Sequence, residues 1–301
     1  MDIKLPKSVI IVEVGPRDGL QNEAVEVSTD QKVDLVNCLS QTGLTRIEVT
    51  SFTHPSWIPQ LKDAESLMNG IQRKEGVVYS ALVPNKKGFE RAMGCRVDEL
   101  VLLVSASEKH NMKNVNRNVH ESLKELKETS LKIPKDMVRI RGVIAMAFEC
   151  PFEGKISIDR VIDIGKELIS MGVYEIALAD TAGLANPAQV FEVFSRVSHE
   201  LLGISLAAHF HNTYGFGLAN VFASLQCGVN VFDGSIGGLG GCPYIPDASG
   251  NIATEDLVYM MEKMGIETGI ELSRLMKCSK LTERFVQKPL TSYLSKQKRM
   301  N

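Results

Sequence analysis

The sequence predicts an α/β chain closed into a (β/α)8 TIM barrel with a short C-terminal helical extension. Three observations predict it. Eight short β-branched runs alternate with longer amphipathic stretches, which is the pattern of parallel βα units. No glycine-rich dinucleotide fingerprint follows the first run, as an open doubly wound sheet would need. No repeat and no low-complexity linker divides the 301 residues, and one such barrel takes roughly 250 residues or more. The barrel is placed at residues 1–270 and the extension, helical or loosely ordered, at 271–301.

The candidate strands are 9–14, 46–51, 77–83, 99–105, 138–147, 175–180, 205–212 and 230–236. Helical periodicity marks 29–41, 86–93, 119–131, 158–170, 187–201, 218–226 and 254–263. Ser28 before Thr29 reads as an N-cap, and Asn186-Pro187 as a cap followed by proline at the first helical position. Gly215-Phe216-Gly217 lacks the third glycine of a dinucleotide loop and reads as a tight helix start.

Composition narrows the function. Hydrophobic residues make up 44% and charged residues 23%, as in ordinary globular proteins, and the formal net charge of -2 offers no basic stripe for nucleic acid. The apolar run at the N-terminus stops at Glu13, too soon for a signal peptide or a membrane span, so the cytoplasm is the expected compartment. The six cysteines form no CxxC pair and read as reduced thiols that fill the core. Lys109, Lys113 and Arg117 form a basic loop after the fourth strand, read as a solvated face.

In a barrel of this kind the chemistry lies at the C-terminal ends of the strands and in the loops beyond them. His209 and His211 end the seventh strand, two residues apart and so on one face. They can reach one metal ion, or be two buried, hydrogen-bonded histidines. Arg17-Asp18 follows the first strand at Gly15-Pro16: Asp18 can offer an oxygen ligand and Arg17 a planar fork for a carboxylate or thioester oxygen, or the two can form a surface pair. Glu48, inside the apolar second strand, needs a partner, which Arg17 can supply. Ser51 and Asp180 close the second and sixth strands at the same rim. Gly237-Gly238-Leu239-Gly240-Gly241-Cys242 forms a glycine-rich loop of the kind that acts as a lid, and Asn251 beyond it carries an amide oxygen suited to a hard cation. His54, His110, His120 and His199 read as surface or structural residues.

EVGPRDGLQNE (13–23), IEVTSF (47–52), ADTAG (179–183), AHFHNTYG (208–215) and GGLGGCPYIPDASGNIATEDLVYM (237–260) span nearly the whole barrel. In these stretches the chain resembles the 3-hydroxy-3-methylglutaryl-CoA lyase family, within the wider group of barrel metal lyases and acyl-CoA condensing enzymes. The condensing relatives share the Arg–Asp pair, the glutamate and the HxH pair but lack the GGCPY loop, so Cys242 selects the lyase.

The resemblance implies Asp18, His209, His211 and Asn251 as ligands of Mg²⁺ or Mn²⁺, and Arg17 as the group that binds substrate and stabilises an enolate. It implies Glu48 as the residue that positions Arg17, Cys242 in a loop that closes over the site, Asp180 as a proton-transfer candidate, and Ser51 at the substrate. It also implies an acyl-CoA substrate, cleavage to acetoacetate and acetyl-CoA in leucine or ketone-body metabolism, and a homodimer, with no nucleic-acid or membrane partner. The alternatives are a condensing synthase acting on a 2-oxo acid, a metal-dependent hydrolase and a non-catalytic barrel.

Overall fold

The structure, a computed structural model, describes residues 5–134, 136–241 and 250–296. Eight parallel strands close in chain order: β1 (Ile10–Glu13), β2 (Arg46–Ser51), β3 (Val78–Leu82), β4 (Glu99–Ser105), β5 (Arg139–Ala145), β6 (Glu175–Asp180), β7 (Ser205–Phe210) and β8 (Val231–Gly234), which pairs back onto β1. The helices between them are α1 (Thr29–Ser40), α2 (Ala64–Gly70), α3 (Lys86–Met93), α4 (Glu108–Val115), α5 (Val119–Ser130), α6 (Ile158–Ser170), α7 (Pro187–Glu200) and α8 (Gly217–Gln226), followed by α9 (Thr254–Lys263), α10 (Leu272–Val286) and α11 (Tyr293–Lys296). The capping signals act as read. Ser28 forms a capping box with Gln31 at α1, and Asn186 accepts from the amide of Gln189 at α7. No helix among the described residues is long and apolar enough to cross a membrane.

Alternation along the strands sorts side chains to two cores. Leu206, Ala208 and Phe210 of β7 face the helices, as do Ile176 and Leu178 of β6. Val12, Val101, Val143, Ala177, Ala207 and Val231 fill the barrel interior. Each fully buried large side chain contributes roughly 1.5–3 kcal/mol relative to exposure. Strand β2 breaks its own alternation: Glu48 is level with Ser80 and Thr50 with Ala81, so Val49 is an additional residue on that strand.

Under the apolar interior lies a charged floor absent from the sequence reading. Arg46 reaches Glu99 at 3.1 Å and Glu175 at 3.0 Å, while Arg141 reaches Glu175 at 2.8 Å and Asp233 at 2.7 Å. The Tyr174 hydroxyl donates to Glu99. These are charges from five strands, and each carboxylate meets a guanidinium, the condition for tolerating charge in a dry interior.

Two expectations are corrected here. The Lys109–Lys113 segment is not a loop: it forms α4, capped by Ser107, with Lys113 over the ring of Phe152 and Arg117 paired with Glu125 at 2.5 Å. The cysteines are not all reduced thiols, because Cys38 of α1 and Cys278 of α10 form a disulfide between adjacent helices, 240 residues apart in the chain. Sequence spacing says nothing about a pair that far apart. Among the described residues Cys95 and Cys150 are free and buried, and Cys227 is free and half-buried.

The C-terminal segment is pinned to the barrel. Beyond α10, the Thr291 amide donates to the Gly237 carbonyl at 3.0 Å and Lys288 reaches Glu23 at 2.7 Å.

Candidate metal centre and substrate cavity

The strand ends open into a cavity of about 550 Å³, within the range of small-molecule sites. Arg17, Asp18, Ser51, His209 and His211 line its inner end, and Trp57, Asn114 and Arg117 line its outer end.

The turn after β1 carries the first two of these. Proline and glycine break the strand, and residues Gly15–Gly19 form a π-helical turn, a rare element often found at functional sites. Glu13 holds this turn from below. Its carboxyl oxygens accept from the amides of Gly15 at 2.7 Å and Ile236 at 2.8 Å, and from the Thr254 hydroxyl at 2.7 Å. One side chain therefore ties together the loops after β1 and β8 and the start of α9.

Burial pushes the Glu13 carboxyl up to about 8, despite these hydrogen bonds, with Glu255 adding to the rise. Folded Glu13 holds its proton to about pH 8, whereas its ordinary value is 4.5. The stability this gives is complete below the ordinary value and is lost as pH rises through the folded one. Resistance to urea is thus expected to decline from about pH 5 to pH 9. Glu13→Gln, which stays neutral and keeps an acceptor, should flatten that decline; an identical profile in both proteins argues against the assignment.

Arg17 is gripped from two sides. Its Nε donates to Glu48 Oε1 at 2.6 Å and its Nη1 to Asp18 Oδ1 at 2.6 Å. Burial works against the guanidinium charge, but Glu48 and Asp18 outweigh it and hold the proton on more tightly than usual. Burial likewise pushes Asp18 up, yet Arg17 and the two histidines prevail and keep it ionised well below the usual carboxylate range.

His209 and His211 both face inward, ring centroids 5.3 Å apart. Their Nε2 atoms lie 3.9 and 3.7 Å from Asp18 Oδ2. One ligand atom from each of Asp18, His209 and His211 falls within 4.8 Å of the others. Burial lowers both histidines, and for His209 the Asp233 and Asp18 carboxylates reverse that and raise it, while His211 stays lowered. Asn251 stands beside them. Its Nδ2 donates to Asp18 Oδ2 at 2.8 Å and to the Leu239 carbonyl at 3.1 Å, so both amide hydrogens are engaged and Oδ1 is the atom left for a cation. A carboxylate, two imidazoles and an amide oxygen converging in a buried pocket suit a divalent ion.

Ser51 lines the cavity, its hydroxyl 2.7 Å from Thr53 Oγ1. Asp180 lies elsewhere. Ala177 and Ala179 of β6 face the interior, so Asp180 falls on the opposite side. Its oxygens accept from the amides of Leu184 at 3.0 Å and Ala185 at 3.1 Å, while its neighbour Thr181 lines the cavity. Burial raises Asp180 to about 7 against the pull of those amides. Cys242 lies outside the described residues. The reading of the strands missed Glu13, Asp233 and Arg141. Asp233 carried a usable signal, an acid at an inward position of an apolar strand, as for Glu48. His110, read as a surface or structural residue, is buried on the cavity wall, with Nδ1 2.9 Å from the Ser105 hydroxyl.

Comparison with known proteins agrees with this geometry. The HMGL-like family model matches residues 8–282. The chain is 48% identical over 287 residues to hydroxymethylglutaryl-CoA lyase YngG of Bacillus subtilis, covering 95% of this chain and 96% of that one. It is 47% identical over 273 residues to the mitochondrial hydroxymethylglutaryl-CoA lyase of Homo sapiens, covering 91% and 84% respectively. A solved HMG-CoA lyase from Acinetobacter baumannii, in complex with coenzyme A and 3-methylmalate, superposes with a TM-score of 0.93 at 42% identity, covering 98% of this chain and 96% of that one. With the barrel, the inward HxH pair and the Arg17–Asp18 turn in place, the chain belongs to the HMGL-like family.

Proposed function

We propose that this enzyme cleaves 3-hydroxy-3-methylglutaryl-CoA to acetoacetate and acetyl-CoA, with Asp18, His209, His211 and Asn251 holding Mg²⁺ or Mn²⁺. The observation that carries the reading is the meeting of Asp18, His209 and His211 beside Arg17 at the inner end of one cavity. The bound cation supplies the Lewis acidity that favours ionisation of the tertiary alcohol.

The chain's own residues do the rest. Cleavage moves the electron pair of the broken carbon–carbon bond into a thioester enolate. Arg17, already ionised and held flat by Glu48 and Asp18, offers its remaining N–H groups to that oxygen without reorganising. The apolar wall at Leu103, Val143 and Ala145 lowers the polarity around that contact, which strengthens the attraction. Ser51 contacts substrate from β2. Cys242 takes part in proton transfer to the enolate carbon. The outer cavity, at Trp57, Asn114 and Arg117, admits the CoA arm. The enzyme acts in the cytoplasm as a homodimer, in leucine or ketone-body metabolism.

Two duties are open to Asp180, proton transfer and bracing of the loop after β6. Its raised pKa supports the first and its amide contacts the second. Asp180→Asn separates them: lost turnover at an unchanged melting temperature supports proton transfer.

The test of the whole reading is acetoacetate release from the hydroxymethylglutaryl thioester. Turnover should vanish after chelation and return with Mg²⁺ or Mn²⁺. Cys242→Ala should lower it by about 10²-fold or more while the fold is kept. Failure of the thioester as substrate under every metal condition overturns the assignment.

A further inference from the structure

The interior charges meet the candidate metal centre where β8 adjoins β7. Asp233 of β8 and His209 of β7 are level across adjacent parallel strands. Asp233 Oδ2 lies 3.1 Å from His209 Nδ1. Behind it, Arg141 grips both carboxylate oxygens, Nη2 to Oδ1 at 2.7 Å and Nη1 to Oδ2 at 3.2 Å. Arg141 is in turn anchored through Nε to Glu175 Oε1 at 2.8 Å. Asp233 is 3% exposed and Arg141 fully buried. His211 has nothing comparable, since its buried Nδ1 has no hydrogen-bond partner among the described residues.

We propose that Asp233 is a positioning residue, held in place by Arg141, that orients His209 and fixes it in the tautomer whose Nε2 is free to bind the cation. The inference rests on the reading of Asp18, His209 and His211 as metal ligands. A carboxylate can only accept a hydrogen bond, so it selects the ring form with a proton on Nδ1 and a lone pair on Nε2. The same contact makes Nε2 a stronger donor to a metal. The two-point grip of Arg141 fixes the plane of the carboxylate, and the strand pairing fixes its distance from the ring. His209 is therefore the rigid imidazole ligand of the pair and His211 the adaptable one.

The test is Mn²⁺ affinity by calorimetry and electron paramagnetic resonance, measured on the full chain without substrate. Asp233→Asn keeps the shape but can present an N–H to Nδ1, which favours the tautomer with Nε2 protonated. Mn²⁺ binding should weaken about 10–100-fold, with the far-ultraviolet circular dichroism unchanged. Mn²⁺ binding within twofold of the unaltered protein overturns the proposal.

Two further measurements close the remaining cases. Should Asp233→Asn not fold, ¹⁵N-histidine resonances of the unaltered metal-free protein decide. A protonated Nδ1 on His209 with Nε2 unprotonated supports the proposal, and the opposite tautomer overturns it. His209→Ala and Asp18→Asn serve as controls. If both bind Mn²⁺ normally, the metal centre itself is wrongly placed and the proposal falls with it; if they lose Mn²⁺ and Asp233→Asn does not, only the role of Asp233 fails.

Discussion

Arg17→Gln is expected to lower turnover by about 10²–10³-fold, the cost of removing one preorganised donor from a developing oxyanion. The loss should fall mainly on kcat, because the enolate charge exists only after the bond begins to break. Two further consequences follow from the contacts. Glu48, 1% exposed, loses its partner, so stability should fall as well. Asp18 loses the strongest of the charges that keep it ionised, so metal affinity should weaken at mildly acidic pH before it does at neutral pH. Arg17→Lys distinguishes geometry from charge: an ammonium keeps the charge but cannot span Glu48 and Asp18 through Nε and Nη1 at once. Its turnover should lie between those of Arg17→Gln and the unaltered enzyme. Steady-state kinetics at saturating Mg²⁺ checks the order, and Arg17→Gln retaining more than about a third of turnover excludes the role.

Arg141→Met should destabilise the fold by about 3–5 kcal/mol. The side chain is fully buried and serves two carboxylates, Glu175 at 2.8 Å and Asp233 at 2.7 Å. Methionine fills most of the volume but leaves Asp233 without a guanidinium, since Arg46 reaches Glu175 and Glu99. The effect should depend on pH. Asp233 is pushed up by burial and held far below its ordinary value by Arg141 and His209. Such a depressed acid contributes stability that is present above its unfolded pKa and lost as pH falls through the folded one. The gap between Arg141→Met and the unaltered protein should therefore be widest at neutral pH and narrow in acid. Urea titrations at several pH values measure it; a deficit under about 1 kcal/mol at neutral pH removes the electrostatic account of the floor.

The barrel was legible because its cause is local. Eight β-branched runs, each followed by a helix-period stretch, admit few arrangements other than a closed parallel sheet, and the capping residues Ser28 and Asn186 mark their helices within the chain itself. The inner site was legible for the same reason. His209 and His211 share a face by strand geometry alone, and Arg17-Asp18 follows a strand broken by Gly15-Pro16. What escaped notice depends on partners distant in sequence. Asp233 looks like one acid in a short apolar run until β7 brings His209 beside it and β5 brings Arg141. The Cys38–Cys278 bond joins helices that meet only when the ring closes. α4 was read as a loop because its sequence is polar and short, and a serine cap and the wall of β4 hold it helical. For Asp180, counting residues from Ala177 gives the side of β6 opposite the interior, a placement that its position at the strand end does not show.

Counting also gives the additional residue in β2 its meaning. Arg46 and Glu48 point inward by ordinary alternation, so Ser51, an odd number of positions from Glu48, belongs with the helices. It reaches the cavity only because Val49 is unmatched on β3, which shifts the phase of the last residues of the strand. The bulge therefore sets which side Ser51 takes. Deleting the Val49 codon would remove the bulge and restore plain alternation, leaving Glu48 on Arg17 and Ser51 two positions from it, still inward. A relative with one residue fewer here should accordingly need no bulge to turn the residue at position 51 inward.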